Sequence, residues 1–311
     1  MLVEEELASA VPERDTALTI GVFDGVHLGH KFLIGKLKEK AAENGLLSGV
    51  LTFHRHPRLV LSPESKITYL TSLEERIRLL EGQGVEHVVT LSFTPELSQL
   101  GAREFVSLLR RYLRMRVLVI GPDFALGQGR EGGAPTLKAL GEELGFLVEV
   151  VPPMVLQGEA VSSTAIRNAL SRGDMMTVNE LLGRRFTLAG LVSKGDERGK
   201  TLGFPTANLI PEPDQALPAD GVYATRAFLS DEVHNSVTNI GIRPTFGRSQ
   251  RLVEVHLFNF HRELYGQELK IELVERLRGE TRFSSADELK AQITMDVEQA
   301  RVLLASLSAT E

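Results

Sequence analysis

The chain has no cysteine. Disulfides, thiolate nucleophiles and cysteine-ligated zinc are excluded, and the absence fits a reducing compartment. It also lacks an excess of positive charge: 35 Lys and Arg stand against 41 Asp and Glu, a net charge of −6. A general surface attraction for nucleic acid is therefore not expected, and a polyanion must be held by a local site. No apolar run approaches the ~18 residues of a membrane span. The opening MLVEEELASAVPERD is acidic and has no apolar centre, so it does not read as a signal peptide. Internal repeats and low-complexity segments are absent. These absences predict a cytoplasmic protein without a membrane or nucleic-acid partner.

What is present is ordinary globular material. The 311 residues, 42% hydrophobic and 24% charged, suffice for two domains with their own cores. From residue 17 to about 151, short apolar runs alternate with helical patterns. The runs are ALTIGV (17–22), GVLTF (49–53), EHVVTL (86–91), RVLVI (116–120) and LVEVV (147–151). The intervening KFLIGKLKEKAAENG places Leu33, Ile34, Leu37 and Ala41 on one face and stops at Gly45. Such alternation predicts a parallel sheet with helices on both faces and a ligand site beyond the carboxyl ends of its strands.

After VSSTAIRNALSRGDMMTVNELLGRR the texture changes. FTLAGLVSKG, GVYATRAFLS, NSVTNIGI, LVEVHLFNF and ELKIELVERL are strand-like runs with turn residues between them, which predicts an antiparallel sandwich or barrel. One helix closes the chain. Ser285 and Glu288 form a capping box, and Leu289, Ile293, Val297, Ala300 and Leu304 share a face. The boundary is placed near Gly183, giving domains 1–183 and 184–311.

Four stretches carry chemistry. GVFDGVHLGH (21–30) runs from the first strand into the first helix, where free N–H groups and the dipole attract phosphate. Gly25 and Gly29 permit close backbone approach, and His27 and His30 lie one turn apart. Two imidazoles there suit a phosphorus transition state. A zinc site with His54 and His56 lacks obvious carboxylate partners, and those two residues are assigned to the rim.

VSSTAIRNAL (161–170) sets three hydroxyls before a helix bearing Arg167; it is either a cap or a phosphate cradle. SKGDERGKTLGFPTANL (193–209) is not a Walker loop, because Lys194 stands where glycine is required and no helix is expected after it. Its PTAN segment is either a turn with a structural Asn or a hard-oxygen site for Mg²⁺. In LVEVHLFNF (252–260), Glu254, His256 and Phe258 share one strand face, and Glu254 is either an exposed residue or a general base.

In this order, the stretches resemble the bacterial bifunctional riboflavin kinase/FMN adenylyltransferase family, over residues 17 to 303. GVFDGVHLGH with VSSTAIR resembles its nucleotidyltransferase module; GFPTAN, NIGIRPTFG, EVHLFNF, ELYGQEL and the last helix resemble its kinase module. The resemblance implies a Rossmann-like domain followed by a six-stranded antiparallel barrel with a terminal helix. It implies that riboflavin and ATP give FMN in the second module, and that FMN and ATP give FAD and pyrophosphate in the first.

It further implies site roles. His27 and His30 would stabilise the adenylyl transition state, and Gly21, Phe23, Asp24, Gly25 and Gly29 would contact ATP. Ser162, Ser163, Thr164 and Arg167 would hold pyrophosphate, and Gly199 and Lys200 would cover the kinase's ATP phosphates. Thr206 and Asn208 would hold Mg²⁺, Glu254 would take the riboflavin hydroxyl proton, and Asp123, Phe124 and Arg278 would contact flavin.

The sequence departs from the family pattern at Pro122, Ala125 and Leu126 in GPDFALG, at Arg55, and at Lys200 in place of Arg. The GPDFALG departure motivates the alternative of a kinase with a degenerate first module. A flavin-binding regulator is the reading from another class.

Overall fold

The computed structural model describes residues 1–195, 198–245 and 248–308; the side chains of Arg198, Lys200, residues 243–250 and Ser308 lie outside the description. Phe246 and Gly247 of the NIGIRPTFG stretch fall outside it altogether. The chain forms two compact units, Met1–Ser163 and Thr164–Glu311.

In the first unit the strands are β1 (Thr16–Ile20), β2 (Leu47–Phe53), β3 (His87–Leu91) and β4 (Met115–Ile120). A short ribbon follows, β5 (Ala125–Leu126) with β6 (Gly132–Gly133), then β7 (Leu147–Val150) and a second ribbon, β8 (Val155–Leu156) with β9 (Glu159–Ala160). The main sheet runs β3-β2-β1-β4-β7, parallel throughout. Every residue of β1 is buried, as expected of a strand covered on both faces.

The helices between strands are α1 (Leu2–Ser9), α2 (Leu28–Glu43), α3 (Pro57–Leu61), α4 (Leu73–Glu81), α5 (Pro95–Ser98), α6 (Ala102–Tyr112) and α7 (Ala134–Leu144). On α2, Ile34, Leu37 and Ala41 are buried, while Leu33 is only partly so. They pack with Ala17, Val50, Val117 and Val119 on one face of the sheet. Leu18, Ile20, Leu51 and Leu118 face the other way, onto α6 residues Phe105, Val106 and Leu109. Helix α2 begins three residues earlier than its apolar pattern, at Leu28, because His27 caps it; Asn44 ends it, with Gly45 at φ +64°.

The second unit opens with α8 (Ser163–Arg172, its first residue the last of the first unit) and α9 (Met175–Leu182). Its strands are β10 (Phe186–Ser193), β11 (Ala207–Pro211), β12 (Gly221–Leu229), β13 (Glu232–Thr245), β14 (Arg248–Leu257) and β15 (Glu268–Arg278). They close into an antiparallel barrel in the order β10-β11-β14-β13-β12-β15. A five-residue helix, α10 (Arg198–Leu202), lies in a loop expected to hold none, and α11 (Ala286–Ser308) ends the chain.

The compact division falls about twenty residues before the change of texture at Gly183. Helix α9 is tied to the barrel: Asn179 Nδ2 donates to the carbonyls of Leu273 (3.1 Å) and Val274 (3.3 Å), and Asn179 Oδ1 accepts from the Phe186 N–H at 2.8 Å. Helix α11 lays Val297, Ala300 and Leu304 over Val222, Ala224, Val237 and Val274 on the outside of the barrel. Its start is a shifted capping box. Ser285 Oγ accepts the Glu288 N–H at 3.2 Å, but the Glu288 carboxylate reaches Ser284, one residue earlier.

Candidate active sites

The first site lies at the carboxyl end of the parallel sheet. Between β1 and α2 the backbone takes left-handed values at Phe23 (φ 51°), Gly25 (φ 84°) and Val26 (φ 38°). Strain of this kind persists only when the surroundings enforce it. Here Phe23 and Val26 are buried, and the Asp24 carboxylate accepts the Leu70 N–H on both oxygens (2.9 and 3.1 Å) and the Thr71 N–H at 3.2 Å. The Gly25 N–H donates to Thr71 Oγ1 at 3.1 Å, and Ser163 Oγ donates to the Asp24 carbonyl at 2.8 Å. The loop is thus clamped from two sides.

The clamp presents the histidines. His27 caps α2, its Nδ1 accepting the His30 N–H at 3.3 Å. In neutral His27 the proton then sits on Nε2. The rings stack with centroids 3.6 Å apart and 18° between planes, and Phe23 meets His30 edge-on at 5.1 Å. Burial, then the neighbouring His27 and Arg76, hold His30 well below the usual imidazole pKa. A Cβ on Gly29 would stand 2.9 Å from the Val161 carbonyl and 3.2 Å from the His27 ring, so only glycine admits both.

Several residues expected to touch ATP also serve as scaffold. The Asp24 carboxylate and the Gly25 amide are engaged with 70–71, Phe23 props His30, and Gly21 packs on the Phe23 ring. Ser162 and Ser163 close the first unit, Ser163 holding the 21–30 loop. The hydroxyls do not all precede the helix: Ser163 and Thr164 form its first turn. Thr164 and Arg167 belong to the second unit, exposed and half-buried respectively.

In GPDFALG, Asp123 is exposed, Phe124 packs partly on the core, and Arg130 Nη2 donates to the Asp123 carbonyl at 2.9 Å. Ala125 and Leu126 pair with Gly133 and Gly132 in the ribbon. His54 contacts Ser92 Oγ and Thr90 Oγ1, and His56 caps α3.

One residue was missed by sequence reasoning. Arg76 of α4 is 1% exposed, and its Nη1 donates to the Phe53 carbonyl at 2.9 Å at the end of β2. The available signal was its spacing: it shares the buried stripe of α4 with Leu80, where an apolar residue is expected.

The second site lies on the outer face of the barrel. Asn208 on β11 is paired directly with Glu254 on β14, Glu254 with Asn239 on β13, and Asn208 with Ser193 on β10. Opposed residues of an antiparallel ladder point the same way, so four strands contribute to one row. Val253, Val255 and Leu257 are the buried set, which settles which face of 252–260 is core; Phe258 is also buried, under α11.

Two residues on from Glu254, His256 Nδ1 bonds the Pro205 carbonyl at 2.8 Å, and its ring meets Phe204 at 5.5 Å. His256 thereby holds the segment bearing Thr206 and Asn208. A Cβ on Gly195 would overlap the Asn208 amide, and one on Gly199 would overlap the Phe204 carbonyl and stand 3.3 Å from Thr206 Oγ1. The two glycines let the backbone at 195 and 199 lie directly on those groups. Hydroxyl, amide and carboxylate oxygens form a hard donor set that fits Mg²⁺.

The Lys200 side chain lies outside the described atoms. Arg278 stands apart from this row: its Nε and Nη2 donate to the buried Asp296 carboxylate of α11 at 2.8–3.1 Å, and its guanidinium lies 5.7 Å from the Phe283 ring centre.

A strand-end phosphate site with a histidine-capped helix, and a barrel with an Asn–Glu pair under a glycine-rich loop, define a nucleotide-using transferase with two modules. Known proteins carry the same pair. The FAD synthetase family model matches residues 10–165 and the riboflavin kinase model residues 182–304. The bifunctional riboflavin kinase/FMN adenylyltransferase of Escherichia coli K12 is 39% identical over 295 residues, covering 94% of both chains. That of Bacillus subtilis 168 is 38% identical over 305 residues, covering 96% of this chain and 94% of its own.

A Streptococcus pneumoniae crystal structure described as a macrolide-efflux protein superposes with a TM-score of 0.87 at 30% identity, covering 94% of this chain and 96% of that one. Among the described residues here, no helix is long and apolar enough to cross a membrane. The chain belongs to the bifunctional riboflavin kinase/FMN adenylyltransferase family.

Proposed function

We propose that this chain converts riboflavin to FMN and FMN to FAD, each with ATP, using residues 184–311 for the first reaction and 1–183 for the second. The observations that support the reading are His27 and His30 at the start of the helix that follows the first parallel strand, and Asn208 and Glu254 paired on neighbouring barrel strands. In the adenylyl transfer, an oxygen of the FMN phosphate attacks the α-phosphorus of ATP and pyrophosphate leaves. The nucleophile is already anionic, so no base is needed, and the site contributes positioning and charge. His27 and His30 face the phosphates from the N-terminus of α2. Ser162, Ser163, Thr164 and Arg167 hold the departing pyrophosphate, and Asp123 and Phe124 contact flavin.

In the kinase reaction the riboflavin 5′-hydroxyl attacks the γ-phosphorus and ADP leaves. An alcohol must lose its proton, and Glu254, beside Asn208, accepts it. Thr206 and Asn208 would hold Mg²⁺, which would offset the charge of the nucleotide phosphates. Gly199 and Lys200 lie over the ATP phosphates. Arg278 contacts flavin from the end of β15, where its guanidinium is held by Asp296 of α11. The protein works in the cytoplasm, with riboflavin, FMN, FAD and ATP as its ligands.

A time course with riboflavin, ATP and Mg²⁺, resolved by chromatography, tests the assignment. FMN followed by FAD is expected. FMN alone would support a degenerate first module, and bound flavin without product would support a regulator. Glu254→Ala should abolish FMN formation and spare conversion of supplied FMN to FAD, while His30→Ala should do the reverse. Equal loss of both activities in either variant would sink the two-site assignment.

A further inference from the structure

Strand β11 pairs with β14 from Ala207 onward, with Ala207 opposite Val255. Pro205, two residues earlier, has no N–H to donate and cannot extend the ladder. Its carbonyl is taken by a side chain instead: His256 Nδ1 bonds it at 2.8 Å. A carbonyl only accepts, so His256 must carry a proton on Nδ1.

The same imidazole touches the groups around that bond. Its ring meets Phe204 edge-on, with centroids 5.5 Å apart and 83° between planes, and lies 5.9 Å from the Phe258 ring. Phe258 is buried, and the Arg301 guanidinium of α11 stands 4.6 Å from its ring centre. Phe204 packs against the cluster that Val297, Ala300 and Leu304 of α11 form with the barrel. The Phe204 N–H donates to the Gly199 carbonyl at 2.8 Å, which closes the glycine-rich loop on the same segment. Residues 204–206 therefore hang between that loop and β11, and His256 fixes their backbone to β14 beyond the end of the ladder.

Resting on the kinase assignment of this site, we propose that His256 is a positioning residue of the kinase reaction: its hydrogen bond to the Pro205 carbonyl sets where the Thr206 hydroxyl and the Asn208 amide meet Mg²⁺ and the nucleotide phosphates. It acts through Pro205 and not on the reacting atoms. Thr206 directly follows the held carbonyl and precedes the first ladder pair, so it loses its place when that bond is removed. Asn208 lies one residue inside the ladder, opposite Glu254, and moves less. Glu254 is paired on both sides, with Asn208 and with Asn239, and stays where it is. The damage then falls on metal and ATP, not on riboflavin.

The test uses the full chain. In the wild type, imidazole nitrogen NMR under mildly alkaline conditions should show neutral His256 as the Nδ1–H tautomer. His256→Phe fills the space without a donor. It should raise the KM for ATP and the Mg²⁺ needed for half-maximal FMN formation at least about fivefold and lower kcat about tenfold, with the KM for riboflavin within about twofold of wild type. His256→Asn keeps an N–H donor and should recover most of the loss. FAD formation from supplied FMN should be unchanged in both variants.

An Nε2–H tautomer in the wild type would overturn the proposal, because that ring cannot donate to Pro205; this result needs no variant to fold. A His256→Phe protein with a lowered melting temperature but wild-type dependence on Mg²⁺ and ATP would make His256 a packing residue only and overturn it as well. Equal rises in the KM for riboflavin and for ATP would do the same. Failure of the kinase assignment looks different: the wild type would form no FMN while His256 kept its Nδ1 proton.

Discussion

Replacing Asp24 separates a scaffold from a ligand contact. The carboxylate is 2% exposed and accepts two backbone N–H groups, Leu70 at 2.9 and 3.1 Å and Thr71 at 3.2 Å. Each hydrogen bond to a charged acceptor is worth about 1.5–3 kcal/mol, and a buried donor left without a partner adds its desolvation cost. Asp24→Ala also removes the carboxylate whose field supports the Arg76 charge. Together these give a loss of about 3–5 kcal/mol, a large share of ordinary domain stability. For a unit of this size that is a drop on the order of 10 °C in melting temperature.

Asp24→Asn keeps one acceptor oxygen and should cost about 1–2 kcal/mol. The assay is thermal unfolding of the full chain, with FAD and FMN formation measured separately below the transition. FAD formation should fall with loop order while FMN formation persists. An Asp24→Ala protein that melts within about 2 °C of wild type but loses roughly tenfold or more in ATP affinity would refute the reasoning, because the carboxylate would then be a ligand contact.

Gly195→Ala should reduce FMN formation at least about tenfold and raise the Mg²⁺ needed for half-maximal rate, because the added Cβ displaces the Asn208 amide. FAD formation from supplied FMN is the control and should not change. Acid stability should report His30. Its folded pKa is depressed, so between the ordinary imidazole value of 6.5 and the lower folded value the unfolded chain binds a proton that the folded chain refuses. The stabilisation is complete above pH 6.5 and is lost as pH falls below it. Melting temperature should therefore decline from pH 7 to pH 5 more steeply in wild type than in His30→Asn; parallel declines would exclude His30 as the cause.

The parallel sheet was legible because strands buried on both faces read as continuous apolar runs, and β1, β2 and β4 are such runs. Strand β11 was harder. Only Ala207 and Leu209 of its five residues are buried, too few to register as a run, and it was recognisable through PTAN and the family resemblance alone. Catalytic candidates were legible where the residue type itself carries chemistry, as with His27, His30 and Glu254. The scaffold around them was not. Thr71 and Leu70 lie 46–47 positions from Asp24, and nothing in either stretch announces the contact. Arg76 was hidden for the opposite reason: arginine in an amphipathic helix reads as a solvated residue, and its spacing from Leu80 is a weak signal beside that.

The two sites differ in how firmly they hold their acid–base group, and the difference follows from the nucleophile. FMN brings a charged oxygen, so the proposed first site needs fixed charge in a rigid frame; His27 is buried, His30 partly so, and the two rings are stacked and clamped by a strained loop. Riboflavin brings an alcohol, so the second site needs a carboxylate that can accept a proton and release it to solvent. Glu254 is only partly buried on an outer barrel face, where a proton can leave. Burying it as deeply as His27 would raise the cost of its charged form and slow its return to the basic state. With Glu254 as the proposed base, a solvent-facing strand leaves its carboxylate within reach of water.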